Sequence, residues 1–231
     1  MIVLTVTHGP LVQPELFGDV IVEAGHELLP WDIRTQGAPP AEGYDAVLVF
    51  GGKQNVGEEV EYPWLHEEYE ALRHWVDEET PLLGVCLGAQ TLAHALGGVV
   101  DRVPQAPLAG FYETELTAAG KDDPVLGVLP ERFEAMNANG YRFALPSGGV
   151  ELARGPVTQA FRVGTHARGV QFHPEVRHEQ AMAWFSAESR ELPRPLGEIE
   201  RELTEKLPAW HEHGRALCNA FLRNVLDAQT M

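Results

Sequence analysis

The chain has 231 residues and a mass of 25.5 kDa, which suits one α/β domain with a modest extension and is long enough to bury a sizeable core. Its 34 acidic and 17 basic residues give a formal net charge of −17. This balance disfavours nucleic acid and anionic membrane surfaces as partners, because binding to either needs clustered cations.

The amino-terminal residues 2–7 are rich in β-branched side chains and predict a first strand. They do not predict a signal peptide, because no basic region precedes the apolar run and no small-residue cleavage site follows it. No stretch of the sequence approaches the length of a membrane-spanning helix, and Cys86 and Cys218 are too few for a disulfide scaffold. We therefore expect a cytoplasmic protein with reduced thiols.

Strand and helix patterns alternate over the first hundred residues. A helical pattern that stops at Gly25 is followed by a strand over 27–32, and the apolar run 46–50 predicts a strand buried on both faces. The next predicted elements are an acidic helix over 64–78, a strand over 81–86 and a helix from about Ala89 to Leu96. This alternation predicts a doubly wound, mostly parallel α/β sheet flanked by helices.

Short strands and turns replace this pattern after about residue 99, and two of the predicted strands cover 157–161 and 169–172. Helices are predicted over 179–188 and 196–228. We therefore expect one domain over residues 1–190 and a helical C-terminal extension over 191–231 that packs on the same domain.

The segment from Gly84 to Gly88 has the form G-x-C-x-G and lies at a predicted strand-to-helix turn, with Cys86 at its centre. The serine version of this turn, the nucleophile elbow, holds its nucleophile above the sheet edge in a strained conformation. The following helix directs its positive end at the thiol and favours the thiolate, while the N–H of Leu87 points to where an oxyanion would form. A small buried hydrophobe is the alternative interpretation of Cys86.

A second candidate follows the predicted strand over 169–172, where the sequence reads Gln171-Phe172-His173-Pro174-Glu175. Because residues two apart in an extended segment point the same way, His173 and Glu175 can lie side by side. A carboxylate beside an imidazole fixes its tautomer and stabilises the imidazolium, as in the base of a catalytic triad. A surface His–Glu pair at a strand end is the alternative.

The buried strand over 46–50 ends in Gly51-Gly52-Lys53, whose glycines expose backbone N–H groups beside the predicted elbow. Gly52 is a candidate second oxyanion donor, with a plain turn as the alternative. His8 ends the first strand and is predicted to be a loop residue, with a substrate contact as the alternative. The acidic run from Glu58 to Glu79 is predicted to be a solvated helix face, with a docking surface for a basic partner as the alternative.

Together, these segments resemble the class I (triad) glutamine amidotransferases, in particular glutaminase domains of the GMP synthase type. The resemblance rests on the strand that ends in FGG, on PLLGVCLGAQTLAHALGG and on VQFHPE, which occur in the family's order. The stretch from Asn139 to Pro146 is similar to a family segment usually written H-G-D-x-x-x-L-P. The resemblance implies the flavodoxin-like fold of that family.

The resemblance implies a catalytic role for three positions. Cys86 would attack the side-chain carboxamide of glutamine. His173 would accept the thiol proton and donate it to the departing ammonia, and Glu175 would orient His173. Water would then cleave the glutamyl thioester and release glutamate.

The resemblance also implies substrate-binding roles. The N–H groups of Gly52 and Leu87 would hold the oxyanion, and Gln90 would help to bind the substrate glutamine. Backbone groups near Asn137 and Ala138 would contact the amino acid end of the substrate. All of these roles are expectations carried by the resemblance.

The sequence departs from the family pattern where Asn139 and Tyr141 replace the usual His and Asp, and where Lys53 replaces a common proline. The triad positions are intact, so these departures bear on the ammonia acceptor and on the coupling to a partner. Family members normally pass ammonia to a synthetase domain or subunit. We expect either a separate synthetase subunit on another chain or free-standing hydrolysis.

We therefore predict a glutamine amidotransferase, or glutaminase, that uses no cofactor. A γ-glutamyl hydrolase acting on γ-glutamyl amides or peptides is one alternative, since the same triad would serve it. A non-catalytic binding or regulatory module is another. No metal site is predicted, because His211 and His213 lie two apart on a predicted helix and face different directions.

Overall fold

A computed structural model describes residues 1–104, 106–187 and 192–230. The strands are β1 (Ile2–Thr7), β2 (Glu27–Asp32), β3 (Ala46–Val49), β4 (Leu82–Val85), β5 (Val100–Arg102), β6 (Leu108–Leu116), β7 (Arg132–Asn139), β8 (Tyr141–Phe143), β9 (Val150–Arg154), β10 (Thr158–Val163) and β11 (Ala167–Val170). The helices are α1 (Glu15–Glu23), α2 (Ile33–Gln36), α3 (Trp64–Asp77), α4 (Leu87–Ala95), α5 (Ala118–Lys121), α6 (His178–Ala187) and α7 (Leu196–Thr230), with a 3-10 turn at Leu126–Val128.

Within these ranges one nine-stranded sheet has the order β2-β1-β3-β4-β11-β10-β9-β6-β7. Parallel pairings join β2, β1, β3, β4 and β11, and antiparallel pairings join the remaining strands. β5 and β8 pair with each other in a separate small sheet. Because the carboxyl ends of parallel strands lie at one edge, the segments that follow β1, β3, β4 and β11 meet there.

Helices cover both faces of the parallel strands. Val3 and Leu48 point to one face and share a hydrophobic cluster with residues of α1 and α7. Leu4 and Val47, the neighbours of those two residues, point to the other face and share a cluster with residues of α3 and α4. The side chains of a strand alternate between faces, so each parallel strand contributes to both layers of the core.

The predicted doubly wound α/β fold and the C-terminal helix are confirmed, and the segment after residue 99 adds the antiparallel strands to the same sheet. α4 begins at Leu87 rather than near Ala89, because Cys86 takes the non-helical conformation that directly precedes the first turn. The helix predicted over 179–188 begins at His178, and residue 188 lies outside the described residues.

The helix α7 has 35 residues and lies against α1, with Leu217 and Cys218 buried in the shared cluster. The predicted boundary between residues 1–190 and 191–231 falls outside the described ranges, so this division of the chain stays a prediction. Of the helices within those ranges, none combines the length and the apolar character that crossing a bilayer requires.

Candidate active site

Cys86 lies in the turn between β4 and α4 and has φ +53° and ψ −106°, a conformation that side-chain-bearing residues rarely adopt. Its backbone N–H donates to the Val170 carbonyl at 2.8 Å, which ties the turn to β11. The backbone strain and its position at the sheet edge are those of a nucleophile elbow.

The glycines on either side of Cys86 allow this turn to pack. A methyl group on Gly84 would lie 2.5 Å from the Gly88 carbonyl oxygen, and one on Gly88 would collide with the Val49 carbonyl of β3. The backbone of the turn therefore approaches both itself and the neighbouring strand more closely than a Cβ atom permits. The two glycines of the G-x-C-x-G pattern are therefore needed for the turn to pack, in addition to the cysteine that supplies the thiol.

His173 reaches Cys86 because β11 lies beside β4 in the sheet, with Val170 paired to Val85. A methyl group on Gly51 would lie 3.1 Å from His173 Cε1 and 3.5 Å from Cys86 Cβ, so the two side chains flank the same point. The imidazole Nδ1 donates to Glu175 Oε1 at 2.7 Å, and both side chains are buried. The predicted His–Glu pair therefore forms beside the thiol.

Neighbouring charges in the site raise the pKa of His173. Burial lowers the pKa of its imidazole, but the charges of Glu175 and then of Cys86 outweigh burial and raise that pKa to about 10. His173 therefore holds its proton at neutral pH. A protonated imidazole beside the thiol is the general acid that a departing amine requires.

Replacing Glu175 with glutamine should lower the pKa of His173, because the Glu175 charge is the largest influence that opposes burial. We expect kcat/KM for the predicted substrate glutamine to drop roughly 10²- to 10⁴-fold. We also expect the alkaline limb of the pH profile of kcat/KM to move to lower pH. The stabilisation that charged His173 gives the folded state is complete below its ordinary pKa of 6.5 and is lost as the pH rises toward 10. Glu175→Gln should therefore lower the free energy of unfolding most below pH 6.5.

The measurements are pH profiles of kcat/KM and of thermal unfolding for both proteins. Glu113→Gln, an exposed carboxylate on β6, is the matched control and should change neither profile. An alkaline limb that stays in place in Glu175→Gln would show that Glu175 does not set the pKa of His173.

The C-terminal helix α7 holds the segment that carries His173 and Glu175. Trp210 Nε1 donates to the His173 carbonyl at 2.8 Å, and His211 Nε2 donates to the Val176 carbonyl at 3.1 Å. A methyl group on Gly214 would collide with the Pro174 carbonyl, so the helix backbone packs directly on this segment. The sequence pattern did not predict this supporting role for α7, because the spacing of its residues is that of an ordinary amphipathic helix.

A cavity of about 260 Å³ lies against the side chains of Cys86 and His173. The predicted residues Gly52, Cys86, Ala138 and His173 all line it. The α6 residues Trp184 and Phe185 also line it, and the Trp184 ring lies 4.7 Å from the His173 ring between centroids. These aromatic residues were not predicted, since a helical Trp-Phe pair is usually a core feature.

Three predicted binding residues lie outside the cavity wall and are buried. Leu87 follows Cys86 directly, and its predicted contribution is the backbone N–H. The amide of Gln90 donates to the Tyr141 carbonyl at 3.0 Å and to Gln171 Oε1 at 3.2 Å. Asn137 donates to the Ala135 carbonyl at 3.0 Å. The roles of these residues stay predictions.

Gln171 is a site residue that sequence reasoning missed. Its side-chain amide donates to Cys86 Sγ at 3.7 Å and accepts from Gln90. The signal was present, because Gln171 lies two positions before His173 in an extended segment and so points the same way. As for metal ligands, the His, Cys, Asp and Glu side chains in the described ranges form no group of three suited to hold an ion.

The fold matches a solved structure along almost the whole chain. A crystal structure described as a glutamine amidotransferase from Thermotoga maritima superposes with a TM-score of 0.84 at 27% identity, covering 97% of each chain. Together with the elbow thiol and the buried His–Glu pair, this fold defines an α/β protein of the glutamine amidotransferase type.

A family model described as "Glutamine amidotransferase class-I" matches residues 20–192. The chain belongs to the class I glutamine amidotransferase family.

Curated relatives include GMP synthase [glutamine-hydrolyzing] of Thermosipho africanus, which is 32% identical over 159 residues covering 66% of this chain and 28% of that protein. A protein of Halobacterium salinarum, described as one of the subunits of GMP synthase [glutamine-hydrolyzing], is 34% identical over 113 residues covering 47% of this chain and 60% of that protein. The chain spans between 20% and 37% of the length of the first curated relatives it matches.

Proposed function

We propose that the chain hydrolyses the side-chain amide of glutamine to glutamate and ammonia, with Cys86, His173 and Glu175 as the catalytic triad. One observation carries this proposal: a thiol on a strained elbow and an imidazole held by a buried carboxylate line the same cavity. Membership of the class I glutamine amidotransferase family supports it.

In the first step, Cys86 Sγ bonds to the side-chain carbonyl carbon of glutamine while His173 carries the proton that it has taken from the thiol. The carbonyl oxygen becomes an oxyanion, which accepts hydrogen bonds from the N–H groups of Gly52 and Leu87. The tetrahedral species collapses when the C–N bond breaks. His173 gives its proton to the leaving nitrogen, so ammonia departs and a glutamyl thioester stays on Cys86.

In the second step, water attacks the thioester carbon and His173 takes the proton from that water. The C–S bond then breaks and glutamate leaves, while the proton stays on His173 beside the sulfur of Cys86. Glu175 keeps the imidazole in the required tautomer throughout both steps. The atoms balance, since one water and one glutamine give one glutamate and one ammonia.

For the substrate, we propose that backbone groups of Ala138 and its neighbour Asn137 contact the amino acid end of glutamine. Ala138 supports this role by lining the cavity together with the elbow residue Cys86. Gln90 would act on glutamine binding through Gln171, the residue that donates to the Cys86 sulfur.

We further propose that a separate synthetase subunit takes the ammonia. The support is that related proteins include chains described as single subunits of GMP synthase, which is the arrangement expected if the glutaminase part is a chain of its own. The cytoplasm, where a catalytic thiol stays reduced, is the compartment that we propose.

The test is to incubate the purified chain with glutamine and to measure glutamate and ammonia together. Mass spectrometry after treatment with a glutamine-analogue diazoketone should then show one adduct, on Cys86. We expect equimolar products and a single adduct. A chain that releases no ammonia, and that takes no adduct under conditions that label a known amidotransferase, would leave the non-catalytic module as the better interpretation.

A second candidate function, γ-glutamyl hydrolysis, is favoured by a groove of about 640 Å³ beside the cavity. The groove and the cavity share Lys53, Ala138, Phe185 and Ala187 as lining residues. Ammonia is a single heavy atom and needs no such space, whereas a γ-glutamyl amide or peptide would place its larger leaving group there. Asn139 and Tyr141, which replace the usual family His and Asp, line the same groove.

The ratio of kcat/KM for a γ-glutamyl dipeptide to kcat/KM for glutamine separates the two functions. A ratio above about 10, which is roughly 1.4 kcal/mol of preferential transition-state binding, would favour the γ-glutamyl hydrolase. A ratio below about 0.1 would favour the glutaminase by the same amount.

A further inference from the structure

A buried ion pair that the triad does not use lies beside the active site. His8 follows β1, and its Nε2 meets Oε2 of Glu68 on α3 at 2.5 Å, with neither side chain exposed. The Trp64 ring stacks on His8 at 5.2 Å between centroids. His8 lies in the loop after β1, as predicted, but its side chain is buried rather than solvated. Glu68 is an exception to the solvated acidic face, because it pairs with His8 in the interior.

The second nitrogen of His8 contacts the segment that follows β3. Nδ1 donates to the Gly51 carbonyl oxygen at 2.8 Å. Burial lowers the pKa of His8, but the Glu68 charge and the bonds to Glu68 and Gly51 outweigh burial and hold that pKa above its ordinary value. Glu68 therefore keeps His8 as a donor toward Gly51.

The peptide unit between Gly51 and Gly52 links this bond to the cavity. A trans peptide is planar, so the Gly51 carbonyl and the Gly52 N–H point in opposite directions. With the carbonyl held by His8, the Gly52 N–H faces away from His8. Gly52 lines the cavity together with Cys86, and His8 does not.

This peptide has few other restraints. Gly51 and Gly52 have no side chains to anchor them, and glycine has wide backbone freedom. Among the described residues, no other donor bonds the Gly51 carbonyl and no acceptor bonds the Gly52 N–H. Rotation of the peptide would turn a carbonyl dipole, instead of an N–H, toward the forming oxyanion.

We propose that His8 and Glu68 are positioning residues that fix the Gly51–Gly52 peptide so that the Gly52 N–H faces the oxyanion formed on Cys86. This inference rests on the proposed function, since it assigns a task within that reaction. It also explains why a charged pair is buried here, because replacing such pairs by apolar residues often leaves a fold equally stable.

The test is the double variant His8→Leu/Glu68→Leu, which removes the donor without leaving a buried charge unpaired. We expect kcat for glutamine to drop about 10- to 100-fold with KM changed less than about threefold, because an oxyanion contact acts in the transition state. Alkylation of Cys86 by iodoacetamide should keep its wild-type rate, because displacement at a saturated carbon forms no oxyanion.

Two further variants separate the loss of the hydrogen bond to Gly51 from a general loss of stability. Glu68→Gln can still hold His8 as an Nδ1 donor, so it should recover most of the turnover that the double variant loses. Asp123→Asn weakens another buried ion pair, with Arg168 at the start of β11, and should lower the melting temperature without lowering kcat.

The inference is overturned if the double variant keeps wild-type kcat, or if its alkylation rate and kcat drop together. It is also overturned if Glu68→Gln is as slow as the double variant. A wild-type chain that neither hydrolyses glutamine nor takes the diazoketone adduct would instead refute the proposed function, and this inference with it.

Discussion

Cys86→Ser should lower glutamine hydrolysis by about 10⁴-fold or more, because a hydroxyl is a far weaker nucleophile than a thiol in a site arranged for sulfur. The same variant should lose the diazoketone adduct while keeping its melting temperature, since the oxygen is smaller than the sulfur and the backbone is unchanged. Glutamate release and intact-protein mass spectrometry measure the loss of turnover and of the adduct, and thermal unfolding checks the melting temperature.

The second cysteine of the chain provides the matched control. Cys218 is fully buried in α7, and burial raises the pKa of its thiol well above the ordinary value, so it stays protonated and unreactive. Cys218→Ala should keep full activity and the single adduct, at a stability cost of about 1 kcal/mol for the lost buried sulfur. An adduct on Cys218, or hydrolysis by Cys86→Ser, would contradict the assignment of the nucleophile.

Gly88→Ala should damage both stability and catalysis. The added methyl group would collide with the Val49 carbonyl, which belongs to the backbone of a central strand and cannot rotate away. We expect a loss of about 1–3 kcal/mol in the free energy of unfolding. Because the turn would shift Cys86, we also expect kcat/KM to drop about 100-fold, as a displacement of about 1 Å can cause.

Gly197→Ala is the matched control, because a methyl group there contacts nothing within 4 Å and the residue lies in the first turn of α7. It should stabilise the chain by up to about 1 kcal/mol and leave activity unchanged. The measurements are the free energy of unfolding, from thermal unfolding, and kcat/KM for glutamine, for both variants and the wild-type chain. If Gly88→Ala behaves like Gly197→Ala, the close packing of the elbow is not required.

The positions of Cys86 and of the His173–Glu175 pair could be predicted because local rules determine them. A glycine-flanked cysteine between a strand and a helix can form an elbow, and residues two apart in an extended segment share a side. The parallel half of the sheet was predictable for a similar reason, since an apolar run such as 46–50 needs helices on both faces.

The contacts made across long sequence separations could not be predicted in this way. The bond from Trp210 to the His173 carbonyl and the pair of His8 with Glu68 depend on how α7 and α3 dock on the sheet. Helical spacing places Glu68 on the buried stripe of α3 with Leu65 and Leu72, but it does not reveal that His8 is its partner. The antiparallel strands β6, β7, β9 and β10 were also hard to order, because their pairing follows turns and register rather than periodicity.

The α7 residues that hold the His173 segment lie beyond the part of the chain that the family model matches. The family match ends at residue 192, before α7 begins, yet it includes every predicted catalytic residue. A fragment cut at that limit would keep the triad and lose the indole, imidazole and close-packed glycine of α7 that hold its histidine-bearing segment. The smallest portion able to hold the predicted triad in place is therefore larger than the portion matched by the family model, and substitutions in α7 would act on the proposed reaction through the backbone of His173.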